Sequence, residues 1–199
     1  MKLYCDMDGV LVNFEGGVLK HMNLMLKPIF EDESHPLHQI AVEAVEELGF
    51  SDQEILLEHI ERAPDESDLP HNKRVRKYMK KLVGDNKELW AHLKWERNGK
   101  ELWDYIKDTP GLEILSAPME QGSRTGKYIW CKRELGLNSK RVNLSDTKKP
   151  FGIYRGEPAV LIDDRDKYIN EFVAGGGIAI KHNPDNVDET IRQLKELGY

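Results

Sequence analysis

The chain has 199 residues, 39% of them apolar and 32% charged, which suits one ordinary domain, or a core domain carrying a large insertion, and excludes a disordered polymer. No apolar run approaches the roughly 20 residues of a membrane-spanning helix, and "MKLYCDMDGV" lacks the basic start, apolar stretch and small-residue cleavage site of a signal peptide, so a cytoplasmic location and no membrane partner are expected. A net charge of −6 argues against a general nucleic-acid binder, which carries a basic footprint.

Taken in chain order, the first strand is short and apolar, "KLYC", and stops at Asp6. A helix is predicted over 15–26, and "LKPIFEDESHP", with two prolines, breaks it. "LHQIAVEAVEELGF" is an amphipathic helix, with Ile40, Val42, Val45 and Leu48 near helical spacing and Gly49 as its stop. Ser51 with Glu54 makes a capping box opening "SDQEILLEHIERA", and "PDESDLPHN" is a loop. Further helices are predicted over 73–82, 87–94 and 100–107, with no strand among them. The run "HNKRVRKYMKK" spreads its charges around most of a helix, as a solvated face does; a basic rim attracting a phosphorylated substrate is the other reading.

After "TPG" the texture changes. "LEILSA" is a predicted strand, "GSRTGKYIWCKRELG" a helix ending at Gly136, "RVNLS" and "AVLIDD" strands, "RDKYINEFVAGG" a helix, "GIAIKH" a strand and "NVDETIRQLKELG" a final helix. Strands separated by helices through short connections imply an α/β fold, a parallel sheet with helices on both faces. The expected division is a core of residues 1–14 and 108–199, interrupted after the first strand by a mostly helical insertion, 15–107. Cys5 falls in a strand and Cys131 in a helix, where buried, reduced thiols are expected.

Ligands of such sheets bind at the carboxyl ends of the strands. Three strands end there in polar residues: the first in Asp6 and Asp8, "LEIL" in Ser116, and "AVLI" in Asp163 and Asp164, with Lys148 and Lys149 in the loop before the last. Taken singly, each has a bland reading: the aspartates as turn or helix caps, Ser116 as a turn serine, the lysines as surface charges. A calcium loop is excluded, because its glycine belongs at the sixth position and its glutamate at the twelfth, whereas Gly9 is fourth and Gly17 twelfth. Taken together, acids this dense need a counter-charge, and an all-oxygen set suits Mg²⁺. The set also fits phosphoryl transfer, with one carboxylate as nucleophile, a second as acid and base, and lysine and serine on the phosphoryl oxygens. "GSRTGKY" is one residue short of a P-loop and has Tyr128 where a hydroxyl should hold the metal, and "AGGGIAI" precedes a strand, so neither is a nucleotide fingerprint.

"DMDGV", the serine of "LEILSAP", a lysine of "DTKKPF" and "LIDD", in that order, resemble the motifs of the haloacid dehalogenase-like hydrolase superfamily. "DMDGVLVNFEGG", "SAPM", "GKYIW" and "LIDDR" further resemble the 5'(3')-deoxyribonucleotidases, while "LWAHLKW" and "GGGIAIKH" look more like uncharacterised phage and bacterial members. The resemblance implies a Rossmann-like hydrolase core with a mobile helical cap. It implies Asp6 as nucleophile, Asp8 as general acid and base, and Mg²⁺ on the Asp6 carboxylate, the Asp8 carbonyl, Asp163 and Asp164. Ser116, with Ala117 beside it, and Lys148 would take the phosphoryl group, Lys149 remaining the alternative lysine. Phe14 and Trp90 would line the substrate pocket.

The activity this implies is a Mg²⁺-dependent phosphomonoesterase acting on a small phosphorylated substrate, with a (deoxy)nucleoside monophosphate, hence a 5'-nucleotidase, as the leading case. Sugar-phosphate phosphatase or phosphomutase is the nearest rival, a nucleic-acid end phosphatase another, and a non-catalytic module binding a phosphorylated ligand or a protein partner the rival of a different class. The sequence leaves base, sugar and oligomeric state open.

Overall fold

The computed structural model describes residues 1–48 and 70–199. The helix expected from Ser51 and most of the loop after it lie outside the described residues. Five strands form one parallel sheet: β1 (Leu3–Cys5), β2 (Glu113–Ser116), β3 (Val142–Leu144), β6 (Val160–Asp163) and β7 (Ile178–Lys181), in the order β3-β2-β1-β6-β7. Register places Cys5 beside Ile114 on one side and Ile162 on the other, so the three central strands end nearly level. Successive side chains of a strand face opposite ways, and all of β1 and β6 is buried. Both faces of the sheet are therefore covered, as near-continuous apolar strands require. One face packs Tyr4, Leu115, Ala159, Leu161 and Phe172, with Tyr4 meeting Phe151 and Phe172 edge-on at 5.5 and 6.2 Å.

The helices are α1 (Phe14–Glu31), α2 (His38–Leu48), α3 (Pro70–Val83), α4 (Lys87–Ala91), α5 (Gly99–Ile106), α6 (Gln121–Leu135), α7 (Asp166–Ala174) and α8 (Val187–Glu196). Three differ from expectation at an end: α3 begins at Pro70, inside the expected loop, with the proline at its first position. α1 runs past Leu26 to Glu31 with Pro28 inside it. α4 stops at Ala91, because the next residues leave the helix to pair with the loop after β1: Asn13 N–H donates to the Lys94 carbonyl at 2.9 Å, and Val12 bridges Trp95. A small antiparallel hairpin, β4 (Ile153–Tyr154) and β5 (Glu157–Pro158), has no counterpart in the sequence reading. Its turn residues, Arg155 and Gly156, have φ of 53° and 84°, the two-residue turn typical of a tight hairpin, and two-residue strands are too short to show a period.

The chain divides into two compact units: 1–14, 93–118 and 127–199 in one, 15–92 and 119–126 in the other. The first unit holds the sheet and also α5, and the second takes in the first turns of α6. In the second unit, helical among its described residues, α2 packs on α3. Trp90 is fully buried there, its indole N–H donated to the Val83 carbonyl at 3.0 Å. Gly126 on α6 lets the backbones close up in the same unit, since a Cβ at this position would lie 2.3 Å from that of Trp90. This packing accounts for one glycine of "GSRTGKY". Cys5 and Cys131 are both free and buried, as expected. No described helix is long and apolar enough to cross a membrane.

Candidate active site

The carboxyl end of β1 builds the site. Asp6 N–H still belongs to the sheet, donating to the Ile162 carbonyl at 2.9 Å, and the residue is buried. The chain then folds around the Met7 carbonyl, which accepts from Leu11 and Val12 N–H at 2.9 and 2.8 Å. Gly9 lies in this loop with φ of +73°, and a Cβ there would stand 2.3 Å from Asp164 Oδ2. Both the backbone and the space therefore demand glycine. The loop brings Asp8 back beside Ser116 at the end of β2, while β6 delivers Asp163 and Asp164 on the other side.

Two buried lysines decide what these acids meet. Lys148 is fully buried, with Nζ 2.8 Å from Asp6 Oδ1 and ion-paired to Asp163. Asp6 Oδ1 thus has the Lys148 ammonium as its partner. Burial would pull the Lys148 ammonium down, but Asp6 and Asp163 outweigh it and hold the group charged. Lys149, the alternative, is exposed at the start of a short 3-10 helix, so Lys148 alone of this pair reaches the acids.

The second lysine is one the sequence reading passed over. Lys127, on α6, is fully buried and donates to Asp8 Oδ2 at 2.6 Å and to Ser116 Oγ at 2.9 Å. Its signal was position: the helix that bears it follows the strand ending in Ser116, and a helix entered from a strand's carboxyl end begins at the site.

The acids are held in a state that favours protons or a cation. Burial pushes Asp163 up to about 6, with Asp6 adding to it and Lys148 opposing. Burial, then Asp6 and Asp163, push Asp164 well above the usual carboxylate range. Asp8 is raised by burial, against the pull of Lys127 and with a further push from Asp6. Asp6, Asp163 and Asp164 each present an oxygen, all within 4.8 Å of one another. Asp164 Oδ1 is buried without a partner among the described residues. Counting Asp8, four carboxylates face two buried ammonium groups and the Arg165 guanidinium that acts on Asp164, so negative charge stays in excess when all are ionised. A hard divalent cation with oxygen preference fits that excess and the unpartnered Asp164 oxygen. The Asp8 carboxylate stands outside the three-acid group and belongs to Lys127.

Of the other expected site residues, Ala117 follows Ser116 half-buried, and Phe14 is buried at the start of α1, directly after the acidic loop. Trp90 belongs to the second unit, where its burial and its bond to Val83 are those of a packing residue.

No protein-family model and no curated protein matches the sequence. Solved structures do. A haloacid dehalogenase-like family hydrolase from Xanthomonas campestris is 13% identical, with a TM-score of 0.50 over 98% of this chain and 96% of that one. A hydrolase from Streptococcus pneumoniae TIGR4 is 11% identical, with a TM-score of 0.50 over 96% of this chain and 97% of that one. A putative beta-phosphoglucomutase from Thermotoga maritima is 15% identical, with a TM-score of 0.47 over 98% of this chain and the whole of that one.

Proposed function

We propose that this chain, whose fold is that of the haloacid dehalogenase-like hydrolases, is a Mg²⁺-dependent phosphatase working through an aspartyl-phosphate on Asp6. The observation that carries the reading is the convergence of four carboxylates, two buried lysines and a buried hydroxyl at the ends of three adjacent strands. Asp6 is the nucleophile: its carboxylate oxygen forms a bond to phosphorus as the bond to the leaving oxygen breaks. Asp8, raised by burial, carries the proton that the leaving oxygen takes up. In the second half it accepts a proton from water as the water oxygen attacks phosphorus, which releases phosphate and restores Asp6. Lys148 and the Ser116 hydroxyl hold the phosphoryl oxygens. Asp6, Asp163, Asp164 and the Asp8 carbonyl would hold Mg²⁺, which supplies charge neutralisation at the phosphoryl group.

The substrate class is a small phosphorylated metabolite, with a (deoxy)nucleoside monophosphate first. What supports the nucleotide is the resemblance of "DMDGVLVNFEGG", "SAPM", "GKYIW" and "LIDDR". On this reading the insertion after the first strand is the part that selects the leaving group. Phosphate release from a panel of nucleoside monophosphates, deoxynucleotides and sugar phosphates, with Mg²⁺ and with EDTA, tests both layers. Mg²⁺-dependent release led by deoxynucleotides is the expected result. Release from sugar phosphates alone overturns the substrate, and release from none overturns the phosphatase.

A further inference from the structure

Lys127 has no role in the mechanism above, yet it is fully buried within the site and spans two of its groups. The two oxygens of Asp8 are treated unequally. Oδ2 takes the Lys127 ammonium at 2.6 Å, whereas Oδ1 is buried and has no partner among the described residues. A buried carboxylate oxygen without a partner is costly and calls for a group that arrives later. The other anchor of Lys127 is equally fixed. Ser116 is fully buried, its backbone paired with Leu144 in the sheet and its carbonyl accepting from Ser145 N–H at 3.0 Å.

We propose that Lys127 is a positioning residue: by holding Asp8 Oδ2 and the Ser116 hydroxyl together, it leaves Oδ1 as the oxygen that exchanges the proton. The inference rests on the phosphatase reading. A carboxyl group on a glycine-containing loop can turn about its last torsion and interchange its oxygens; the ammonium, carried by a helix, blocks that turn. In the first step the Oδ1–H bond breaks as the leaving oxygen gains the proton and parts from phosphorus. In the second, Oδ1 takes the proton of the attacking water. The same ammonium keeps the Ser116 hydroxyl from donating to Asp8, so its proton stays available to a phosphoryl oxygen.

Leaving-group dependence separates this role from plain phosphate binding or packing. An alkyl phosphate, such as a nucleoside monophosphate, needs its leaving oxygen protonated, whereas p-nitrophenyl phosphate scarcely does. In Lys127→Met, kcat/KM should fall about 100-fold for the alkyl phosphate and less than about fivefold for p-nitrophenyl phosphate, since general acid catalysis is worth about 10²–10⁴. The ratio of the two is taken on one preparation, so any unfolded fraction cancels. Lys127→Gln, which keeps a donor without the charge, should show the same pattern at smaller size and serves if the Met variant does not fold. Equal losses for both substrates overturn the proposal. A parent protein that hydrolyses neither in Mg²⁺ sinks the phosphatase reading itself, and this inference with it.

Discussion

The two sides of the site use a buried lysine differently. On one side Lys148 is shared between two carboxylates, Asp6 and Asp163, with Asp164 close by. Negative charge exceeds positive there, and burial, with the neighbouring carboxylates adding to it, pushes Asp163 and Asp164 up. On the other side Lys127 joins one carboxylate to one neutral hydroxyl, so charge is matched and a single oxygen of Asp8 is left over. An excess of acid is what a cation needs, and a matched pair with one free oxygen is what directed proton transfer needs. Burial of two lysines among acids is costly unless each is paired, and the two pairings divide the work of one strand end.

The largest effect should come from breaking the acidic side at Asp6, the proposed nucleophile. Asp6→Asn is expected to lower turnover by about 10⁴-fold or more while the far-UV circular dichroism stays that of the parent, as loss of a covalent nucleophile implies. Retention of more than about a tenth of the parent rate would argue against an aspartyl-phosphate.

Metal loading sharpens the same side. At a Mg²⁺ concentration near 100 times its dissociation constant, binding adds about 2.7 kcal/mol of stability, or a rise of about 5–10 °C in Tm for a chain of this size. Differential scanning calorimetry with Mg²⁺ and with EDTA reads it. The rise should vanish in Asp163→Asn and persist in Lys127→Gln, which sits on the other side.

The acidic side also borders a neutral histidine. His182, whose backbone N–H donates to the Asp163 carbonyl at 2.8 Å, is buried with Nδ1 2.9 Å from Thr190 Oγ1, and burial lowers its pKa to about 4. A depressed histidine contributes stability above its unfolded value of about 6.5 that is lost as pH falls toward 4, so about 2 kcal/mol should go between pH 7 and 5. Asp8, Asp163 and Asp164 are raised and run the opposite way, gaining on acidification. The difference between parent and His182→Gln isolates the histidine. In urea unfolding with EDTA, the variant should lose less stability than the parent from pH 7 to 5, and parallel curves would remove the assignment.

The smallest effect is at the hinge between the sides. Gly9→Ala forces a side chain into positive φ and onto Asp164, costing about 1–2 kcal/mol. Urea midpoints should drop accordingly, and the Mg²⁺-dependent Tm shift should shrink because Asp164 must move.

What the sequence determined by itself is what travels with local pattern. Apolar strands closing on Asp6, Ser116 and Asp163, helices between them and a parallel sheet follow from periodicity and connection length, and the structure bears them out. The order of motifs along the chain was equally legible, since carboxyl ends of strands are where a parallel sheet collects its chemistry. The remainder depended on burial and on neighbours remote in sequence. Lys148 and Lys149 are adjacent and chemically identical, and only the turn into the short 3-10 helix sends one inward and the other to solvent. Lys127 is far along the chain from Asp8 and becomes its partner because α6 enters the site at the end of β2. Trp90 took its packing role from Val83 and Gly126, whose approach no periodicity announces. Charge pairing over such separations is a tertiary property: a lysine in the sequence is a surface residue until folding buries it against an acid.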